Sequence, residues 1–400
     1  MKVLVADKFE KSGLEGLKSL GCDVLYEPDA KEDSLTQAIA ASDAEILVVR
    51  GTKVTRKMLE AGHLSLVIRA GAGYNTIDLE AASERGIYVA NCPGKNAIAV
   101  AELAFGLLLA LDRRVADNAA DLKRGVWNKK EYSKARGLFG RTLGLIGVGG
   151  IGGEMIPRAR AFGMPVVAWS RSLTPEKAKA LGIERASSIE DVAASADAVS
   201  VHVALKPETK GLIGEKFFAA MKPGSFFVNT SRAEVVDQAS LERAVKEKGL
   251  RAALDVFNDE PSGGSAEVKA SIFQLPGVIG THHIGASTEQ AQEAIAAETV
   301  RIVSEYIGNG RAPNVVNLAK KSPACCLLVV RHYDRVGVLA SVFDGLKQAG
   351  INVQETENIV FDGARAAVAR IHLEQSPSQG VLDSIRESSP DIIELTLLPL

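Results

Sequence analysis

The sequence contains few cysteines, and their positions exclude several protein classes. Only four of the 400 residues are cysteine, namely Cys22, Cys92, Cys325 and Cys326, and their spacing matches no metal-ligand motif. A bridge between the adjacent pair would be badly strained. We therefore expect reduced cysteines, no metal site and a reducing compartment, which by default is the cytoplasm.

The chain also lacks an excess of charge and a long apolar run. Its net charge is -2 and its basic residues are scattered, so we expect no binding to nucleic acid or to a membrane surface. The longest apolar stretch, residues 103–111, is well short of the roughly 20 residues that a membrane span needs. Asp7 directly follows the short apolar run at residues 3–6, which does not resemble a signal peptide. Neither membrane insertion nor export is expected.

What the sequence does contain is enough chain for two or three domains, with a strong α/β pattern. Short apolar runs alternate with helix-like segments, which is the rhythm of βαβ units around a parallel sheet. A first series of runs lies at 3–6, 46–49, 66–68 and 87–89, and a second at 142–146, 165–169, 198–201, 225–229 and 252–256. We predict two Rossmann-like, doubly wound α/β domains with parallel sheets.

The joints between the domains are also visible. Residues 96–114 are small or apolar nearly all round, which indicates a helix buried between domains or subunits and favours a homodimer or homotetramer. Residues 311–324 contain two prolines and show no periodicity, so they form a linker. A βαββαβ pattern follows, which is typical of a ferredoxin-like unit. We predict a substrate-binding domain (1–95 and 286–316), a dinucleotide-binding domain (96–285) and a third domain (325–400).

A glycine-rich loop follows the first strand of the second series. Gly147, Gly149 and Gly152 form Gly-x-Gly-x-x-Gly between an apolar strand and a helix, with Gly150 and Ile151 inside the motif. The first glycine permits a tight turn, the second lets the backbone approach a pyrophosphate, and the third lets helix and strand pack closely. The loop therefore predicts dinucleotide binding at the positive end of a helix.

The end of the next strand bears on which dinucleotide is bound. Proteins specific for NAD usually carry an Asp or Glu there, whereas this chain has Ser170, Arg171 and Ser172. An arginine flanked by hydroxyls suits a 2′-phosphate. Both NAD and NADP therefore remain candidate cofactors.

Three polar residues follow later strands of the second series, where ligands of open α/β sheets bind. They are Arg232, Glu260 and a histidine at 282 or 283. Reduction of a 2-oxo acid needs a proton donor, and a carboxylate beside a histidine favours the charged ring. It also needs a permanent cation for the substrate carboxylate, and arginine offers bidentate geometry. These residues predict a dehydrogenase of 2-hydroxy acids.

Several motifs in fixed order resemble the D-2-hydroxyacid dehydrogenases. They are RAGAGYNTID at 69–78, the loop at 147–152, NTSR at 229–232, DVFNDEP at 255–261 and HIGAST at 283–288. The resemblance implies that Arg232 binds substrate, Glu260 orients the histidine and His283 is the acid/base. His282 occupies a position where the family commonly has proline. The similarity is greatest to members that interconvert 3-phosphoglycerate and 3-phosphohydroxypyruvate at the first step of L-serine biosynthesis.

The same resemblance implies further site residues. Cofactor contacts are expected at His202, Thr230 and Asp255, in addition to the glycine loop and Ser170 to Ser172. Substrate contacts are expected at Arg50, Arg69, Gly71, Ala72, Gly73 and Asn96, with the first two at a phosphate.

The third domain resembles an ACT domain through HYDRVGVL at 332–339 and GINV at 350–353. This implies an amino-acid effector near His332, Asp334 and Asn352. Asp334 and Val336 replace the Asn and Pro that are more usual in serine-binding examples.

Two alternatives stay open at this point. A glyoxylate or hydroxypyruvate reductase that prefers NADPH would suit the Ser170, Arg171 and Ser172 loop. A dinucleotide-sensing binding protein on the same scaffold would bind NAD(H) without turnover. The presence of all three catalytic residue types favours an enzyme acting on a small 2-hydroxy or 2-oxo acid.

Overall fold

Two parallel sheets form from the two series of apolar runs. The protein was analysed as a computed structural model, which describes residues 1–261, 266–268 and 270–400. The central strands of both sheets are almost completely buried and are rich in Val, Ile, Leu and Ala, as parallel strands covered on both faces require. The prediction of parallel α/β sheets is confirmed.

The first sheet is built from the beginning of the chain. Its elements are β1 (Lys2–Ala6), α1 (Lys11–Ser19), β2 (Asp23–Tyr26), α2 (Glu32–Ser42), β3 (Ile46–Val49), α3 (Arg56–Glu60), β4 (Leu66–Arg69), α4 (Leu79–Glu84) and β5 (Tyr88–Asn91). The strand order is β2-β1-β3-β4-β5, all parallel. Strand β2 was not predicted, because it is a partly exposed edge strand without a continuous apolar run.

The second sheet follows a set of helices. The elements are α5 (Ala97–Arg113), α6 (Val115–Lys123), α7 (Lys129–Tyr132), β6 (Leu143–Ile146), α8 (Gly150–Ala161), β7 (Val166–Trp169), α9 (Pro175–Leu181), β8 (Glu184–Arg185), α10 (Ile189–Ser195), β9 (Ala198–Val201), α11 (Glu215–Ala220), β10 (Phe226–Asn229), α12 (Gln238–Lys248), β11 (Arg251–Leu254) and β12 (Val278–Gly280). The order is β12-β11-β10-β9-β6-β7-β8. The unpredicted strands β8 and β12 are the short edges.

Two helices connect the sheets. The predicted apolar helix is α5, which packs against α8 and against strands β10 and β11. Helix α13 (Glu289–Asn309) returns to the first sheet, where it packs on α1. Its residues Ile295, Ile302 and Val303 are buried in the same cluster as Val3 and Val5. The first sheet is therefore completed by chain from beyond the second.

Residues 318–400 form a separate compact unit. Its elements are β13 (Cys326–Tyr333), α14 (Val338–Gln348), β14 (Val353–Val360), β15 (Ala366–Leu373), α15 (Gln379–Glu387) and β16 (Ile392–Pro399). The sheet is antiparallel in the order β14-β15-β13-β16. The predicted βαββαβ order is present. Among the described residues of the whole chain, no helix is long and apolar enough to cross a membrane.

A buried carboxylate fixes α13 to the segments around it. Glu298 is only 7% exposed and accepts hydrogen bonds from Arg301 (2.6 Å) and Asn314 (2.7 Å), and Lys95 Nζ lies 3.2 Å away. The bond from Arg301 lowers the pKa of Glu298 most, burial opposes it, and the other two partners help to bring the pKa to about 2. The charged form is therefore favoured by folding.

This shift gives a prediction for stability. Since the pKa falls from 4.5 to about 2 on folding, the stabilisation is complete above pH 4.5 and is lost as the pH falls through this interval. Arg301 is 46% exposed, so solvent screens part of the interaction. We expect Glu298→Gln to lower the free energy of unfolding at pH 7 by about 2 kcal/mol, measured by urea titration.

The control is Glu305→Gln, which removes the exposed partner of the same arginine. It should cost less than about 0.5 kcal/mol. The difference between wild type and Glu298→Gln should shrink between pH 4.5 and pH 2. A difference that stays constant with pH would contradict the assignment.

Candidate active site

The glycine loop between β6 and α8 has the geometry of a phosphate cradle. Gly147 has φ +99, a conformation that side chains disfavour, and a Cβ there would lie 2.6 Å from the carbonyl oxygen of His202. A Cβ at Gly152 would lie 2.1 Å from the carbonyl oxygen of Gly147. At Gly149, by contrast, a Cβ would meet no described atom within 4 Å. The loop is therefore tightly packed at Gly147 and Gly152. At Gly149 it leaves open space beside the amides that begin α8, where a phosphate could bind.

The ends of the neighbouring strands surround this loop. Ser170, Arg171 and Ser172 follow β7, which is paired with β6, and Arg171 and Ser172 are exposed. His202 follows β9 and Thr230 follows β10. Nδ1 of His202 and Oγ1 of Thr230 are buried without a hydrogen-bond partner among the described residues. Burial lowers the pKa of His202 to about 3, so its ring is neutral at pH 7.

These features fit a dinucleotide. Buried polar atoms are normally satisfied, so unpaired ones beside an open cradle indicate a ligand that supplies the partners. Ile151 lies in the first turn of α8, and a Cβ at Gly150 would stand 3.5 Å from Cβ of Ala97 in α5. Asn96, the residue that precedes α5, is therefore brought next to the loop.

Glu260 and His283 form a hydrogen-bonded pair. His283 Nδ1 lies 2.8 Å from Oε2 of Glu260, and the other carboxylate oxygen accepts the amide of Phe257 at 3.0 Å. Burial would raise the pKa of Glu260, but the bonds from His283 and Phe257 and the charge of Arg232 outweigh it and lower the pKa. The carboxylate is therefore ionised at neutral pH, and 48% of the His283 side chain is exposed for contact with a substrate.

The backbone at His283 is unusual. Its φ is +52, in the left-handed region that non-glycine residues seldom adopt, although histidine tolerates it better than most. Asp255 supports the turn: its carboxylate accepts the amides of Ile284 and Gly285, both at 2.9 Å, and the hydroxyl of Thr281 at 2.6 Å. Asp255 is 1% exposed. These bonds favour a positioning role for Asp255 over the predicted direct contact with cofactor.

His282 is exposed, and Glu260 makes its hydrogen bond to the neighbouring His283 instead. This pairing favours His283 over His282 as the acid/base residue, which stays a prediction.

Arginines from both sheets converge. Arg232 follows β10, its guanidinium donates to the carbonyl of Ser231 at 2.7 Å, and a Cβ at Gly73 would lie 2.0 Å from its Nη2. Arg69 at the end of β4 is buried, and burial followed by the charges of Arg232 and Arg50 lowers its pKa to about 10. Its Nε has no partner among the described residues. The loop of Gly71, Ala72 and Gly73 lies between these groups, held by Asn91 Nδ2, which donates to Ala72 O at 2.6 Å.

Like charges are costly to bring together, so this cluster indicates an anion that neutralises them. Burial also lowers the pKa of Arg232, against the opposing charges of Glu234 and Glu260.

One residue near this cluster was not predicted from the sequence. Asp7 follows β1 and accepts three amides of the Arg50 loop. Its signal was present, since it is a carboxylate directly after a buried strand.

The separate unit holds the three residues predicted to bind an effector. His332 is 2% exposed, and its ring nitrogens lie 2.8 Å from Tyr333 O and 3.1 Å from Asn358 Oδ1. His332 is therefore buried within this unit, and its role as an effector ligand stays a prediction. Asp334 and Asn352 are exposed. Asn352 lines a surface cavity of about 420 Å³ with Phe343 and Lys347.

Comparison with known proteins is consistent with this geometry. Residues 105–285 match the family model for the D-isomer specific 2-hydroxyacid dehydrogenase, NAD binding domain. D-3-phosphoglycerate dehydrogenase of Methanocaldococcus jannaschii is 39% identical over 80% of this chain and 60% of its own length. Hydroxypyruvate reductase of Thermotoga maritima is 40% identical over 70% of this chain and 89% of its own length.

A solved structure of NAD⁺-bound 3-phosphoglycerate dehydrogenase from Entamoeba histolytica superposes with a TM-score of 0.67 at 27% identity, covering 80% of this chain and 99% of that one. The chain spans half to two thirds of the length of the D-3-phosphoglycerate dehydrogenases from Methanocaldococcus jannaschii, Arabidopsis thaliana and Mycobacterium bovis. Motifs, fold, site and relatives agree, and the chain belongs to the D-isomer specific 2-hydroxyacid dehydrogenase family.

Proposed function

We propose that this chain is a nicotinamide-dependent dehydrogenase that interconverts 3-phosphoglycerate and 3-phosphohydroxypyruvate, as at the first step of L-serine biosynthesis. The observation that carries the proposal is the convergence of Arg50, Arg69 and Arg232, in which the charges of Arg232 and Arg50 both act on the partly buried Arg69. A substrate with a carboxylate and a phosphate has two anionic groups to neutralise three guanidinium groups. Glyoxylate carries a single anionic group.

The roles of the side chains follow from their surroundings. A bound nicotinamide would supply or accept the hydride. His283 moves the proton at the substrate oxygen, since its Nδ1 is held by Glu260 at 2.8 Å and its Nε2 edge remains for the substrate. Glu260 fixes the orientation of the ring and stabilises its positive form. Arg232 binds the carboxylate and polarises the carbonyl through its planar fork.

The two ends of the substrate are assigned to different sheets. Arg232 comes from the second sheet and takes the carboxylate, whereas Arg50 and Arg69 come from the first and take the phosphate. Gly71, Ala72 and Gly73 supply backbone between them, and Asn96 lies beside the glycine loop of the cofactor. This division supports a substrate-binding domain of residues 1–95 and 286–316 and a dinucleotide-binding domain of residues 96–285.

Reduction of hydroxypyruvate or glyoxylate is the second candidate. It is favoured by the relative from Thermotoga maritima, of which the chain covers 89%, against 60% of the D-3-phosphoglycerate dehydrogenase of Methanocaldococcus jannaschii. The loop of Ser170, Arg171 and Ser172, in which Arg171 and Ser172 are exposed, would accept the 2′-phosphate of NADPH. NAD and NADP are therefore both tested below.

The proposal extends to assembly and regulation. We infer a homodimer or homotetramer, because helix α5 is followed by a surface that exposes Trp127 (80%) and Phe139 (87%).

The βαββαβ unit is proposed to be an ACT domain of residues 325–400 with an amino-acid effector. Its candidate ligands are His332, which is buried, and Asp334 and Asn352, which are exposed.

The first test is an assay panel. Purified protein is given 3-phosphohydroxypyruvate, hydroxypyruvate or glyoxylate, each with NADH and with NADPH. We expect the highest kcat/KM with 3-phosphohydroxypyruvate. A higher kcat/KM with hydroxypyruvate or glyoxylate would favour the reductase, and inactivity in all six combinations would rule out the enzyme.

The second test concerns the proton. We expect His283→Ala to lower kcat by about 10²- to 10⁴-fold, because general acid catalysis contributes about this much. His282→Ala is the matched control, since it removes the adjacent exposed ring and should change kcat by less than about threefold. The reverse pattern would transfer the role to His282.

The third test concerns the phosphate. Arg50→Ala should raise the KM for 3-phosphohydroxypyruvate by about 10- to 100-fold, through loss of a charge-assisted contact, and leave the KM for hydroxypyruvate nearly unchanged. Arg56→Ala is the control, because it removes an exposed arginine of the same sheet region that pairs with Glu84. Equal losses on both substrates would exclude a phosphate role for Arg50.

A further inference from the structure

A carboxylate at the end of the first strand holds the loop that carries Arg50. Oδ2 of Asp7 accepts the backbone amides of Arg50 (2.7 Å), Gly51 (3.0 Å) and Thr52 (3.0 Å). Its other oxygen accepts the hydroxyl of Thr52 at 2.9 Å. Four donors from three consecutive residues therefore converge on one side chain.

The backbone at Asp7 is held in an unfavourable conformation. Its φ is +135, which side chains rarely adopt. Strands β1 and β3 are neighbours, with Ala6 opposite Val49, so the two strand ends are already adjacent. The unusual φ at Asp7 accompanies a carboxylate turned onto the amides of the next strand end. Such strain persists only where the surroundings fix it.

The loop that Asp7 holds contains two cations. Arg50 carries the first of the bonded amides and belongs to the arginine cluster through its charge on Arg69, and the exposed Lys53 directly follows the last bonded amide. Hydrogen bonds to an ionised carboxylate are about twice as strong as neutral ones. Asp7 also acts electrostatically on Arg69, together with Arg50 and Arg232. The carboxylate of Asp7 accepts hydrogen bonds from backbone amides, so Asp7 holds the loop without a salt bridge to Arg50 or Lys53.

We propose that Asp7 is a positioning residue that sets the selectivity of the site for phosphorylated over unphosphorylated substrates. It does so by fixing the backbone of residues 50–53, so that Arg50 and Lys53 meet the phosphate. This inference rests on the proposed function, and it assigns no contact between Asp7 and the substrate.

The test compares Asp7→Ala and Asp7→Asn with wild type on 3-phosphohydroxypyruvate and hydroxypyruvate. We expect Asp7→Ala to raise the KM for the phosphorylated substrate about tenfold or more, with kcat within about threefold. The KM for hydroxypyruvate should change less than about twofold. Asp7→Asn should lie between, because the amide oxygen still accepts while the charge is lost.

A third variant keeps the test decisive if the Asp7 variants do not fold. Thr52→Val removes the hydroxyl that Asp7 accepts and leaves the backbone amides in place. It should shift the KM for the phosphorylated substrate in the same direction by about two- to threefold. The control is Ser188→Ala, which removes the capping hydroxyl of α10, a helix that packs on the second sheet.

The outcomes separate the two proposals. If wild type prefers 3-phosphohydroxypyruvate and the Asp7 variants lose activity equally on both substrates, Asp7 is merely structural and the proposed function stands. If wild type shows no preference for the phosphorylated substrate, the proposed function fails first. A selective rise in KM that Ser188→Ala does not reproduce supports the inference.

Discussion

The constraint on which this molecule depends is that parallel strands deliver all their carboxyl ends to one edge of a sheet. Residues far apart in sequence, such as His202, Thr230 and Asp255, therefore follow neighbouring strands β9, β10 and β11. The first sheet obeys the same rule with Asp7, Arg50 and Arg69. Each sheet thus concentrates polar groups at an edge where backbone groups are free of the ladder.

Most strands of the two parallel sheets could be predicted from the sequence, because a short run of apolar residues indicates a buried strand. The central strands β3 and β9 were predicted to the residue, since both are fully buried and Ser200 is their only polar residue. The edge strands β2 and β8 were missed because they are partly or fully exposed and carry no such run. Apolar runs in the sequence therefore locate the central strands of a sheet more readily than its edge strands.

The site was predictable in its residue types and less so in its contacts. Arg232, Glu260 and His283 could be selected because each follows a strand and suits the chemistry. The pairing of Glu260 with His283 rather than His282 depends on a positive φ that Asp255 stabilises through backbone bonds. Backbone bonds of this kind leave no spacing signal. Asp7 was overlooked although it is a carboxylate directly after a buried strand, because its partners are backbone amides at the end of another strand.

The return of α13 to the first sheet has a consequence for how the chain is made. Val3 and Val5 share their apolar cluster with Ile295, Ile302 and Val303. Contacts of such sequence separation form late, because the intervening chain must be ordered or bridged first. During synthesis the second sheet can form before α13 is complete. The face of the first sheet on which α13 packs is not fully covered until residue 309 has left the ribosome. The earliest residues of the protein are therefore among the last to be buried.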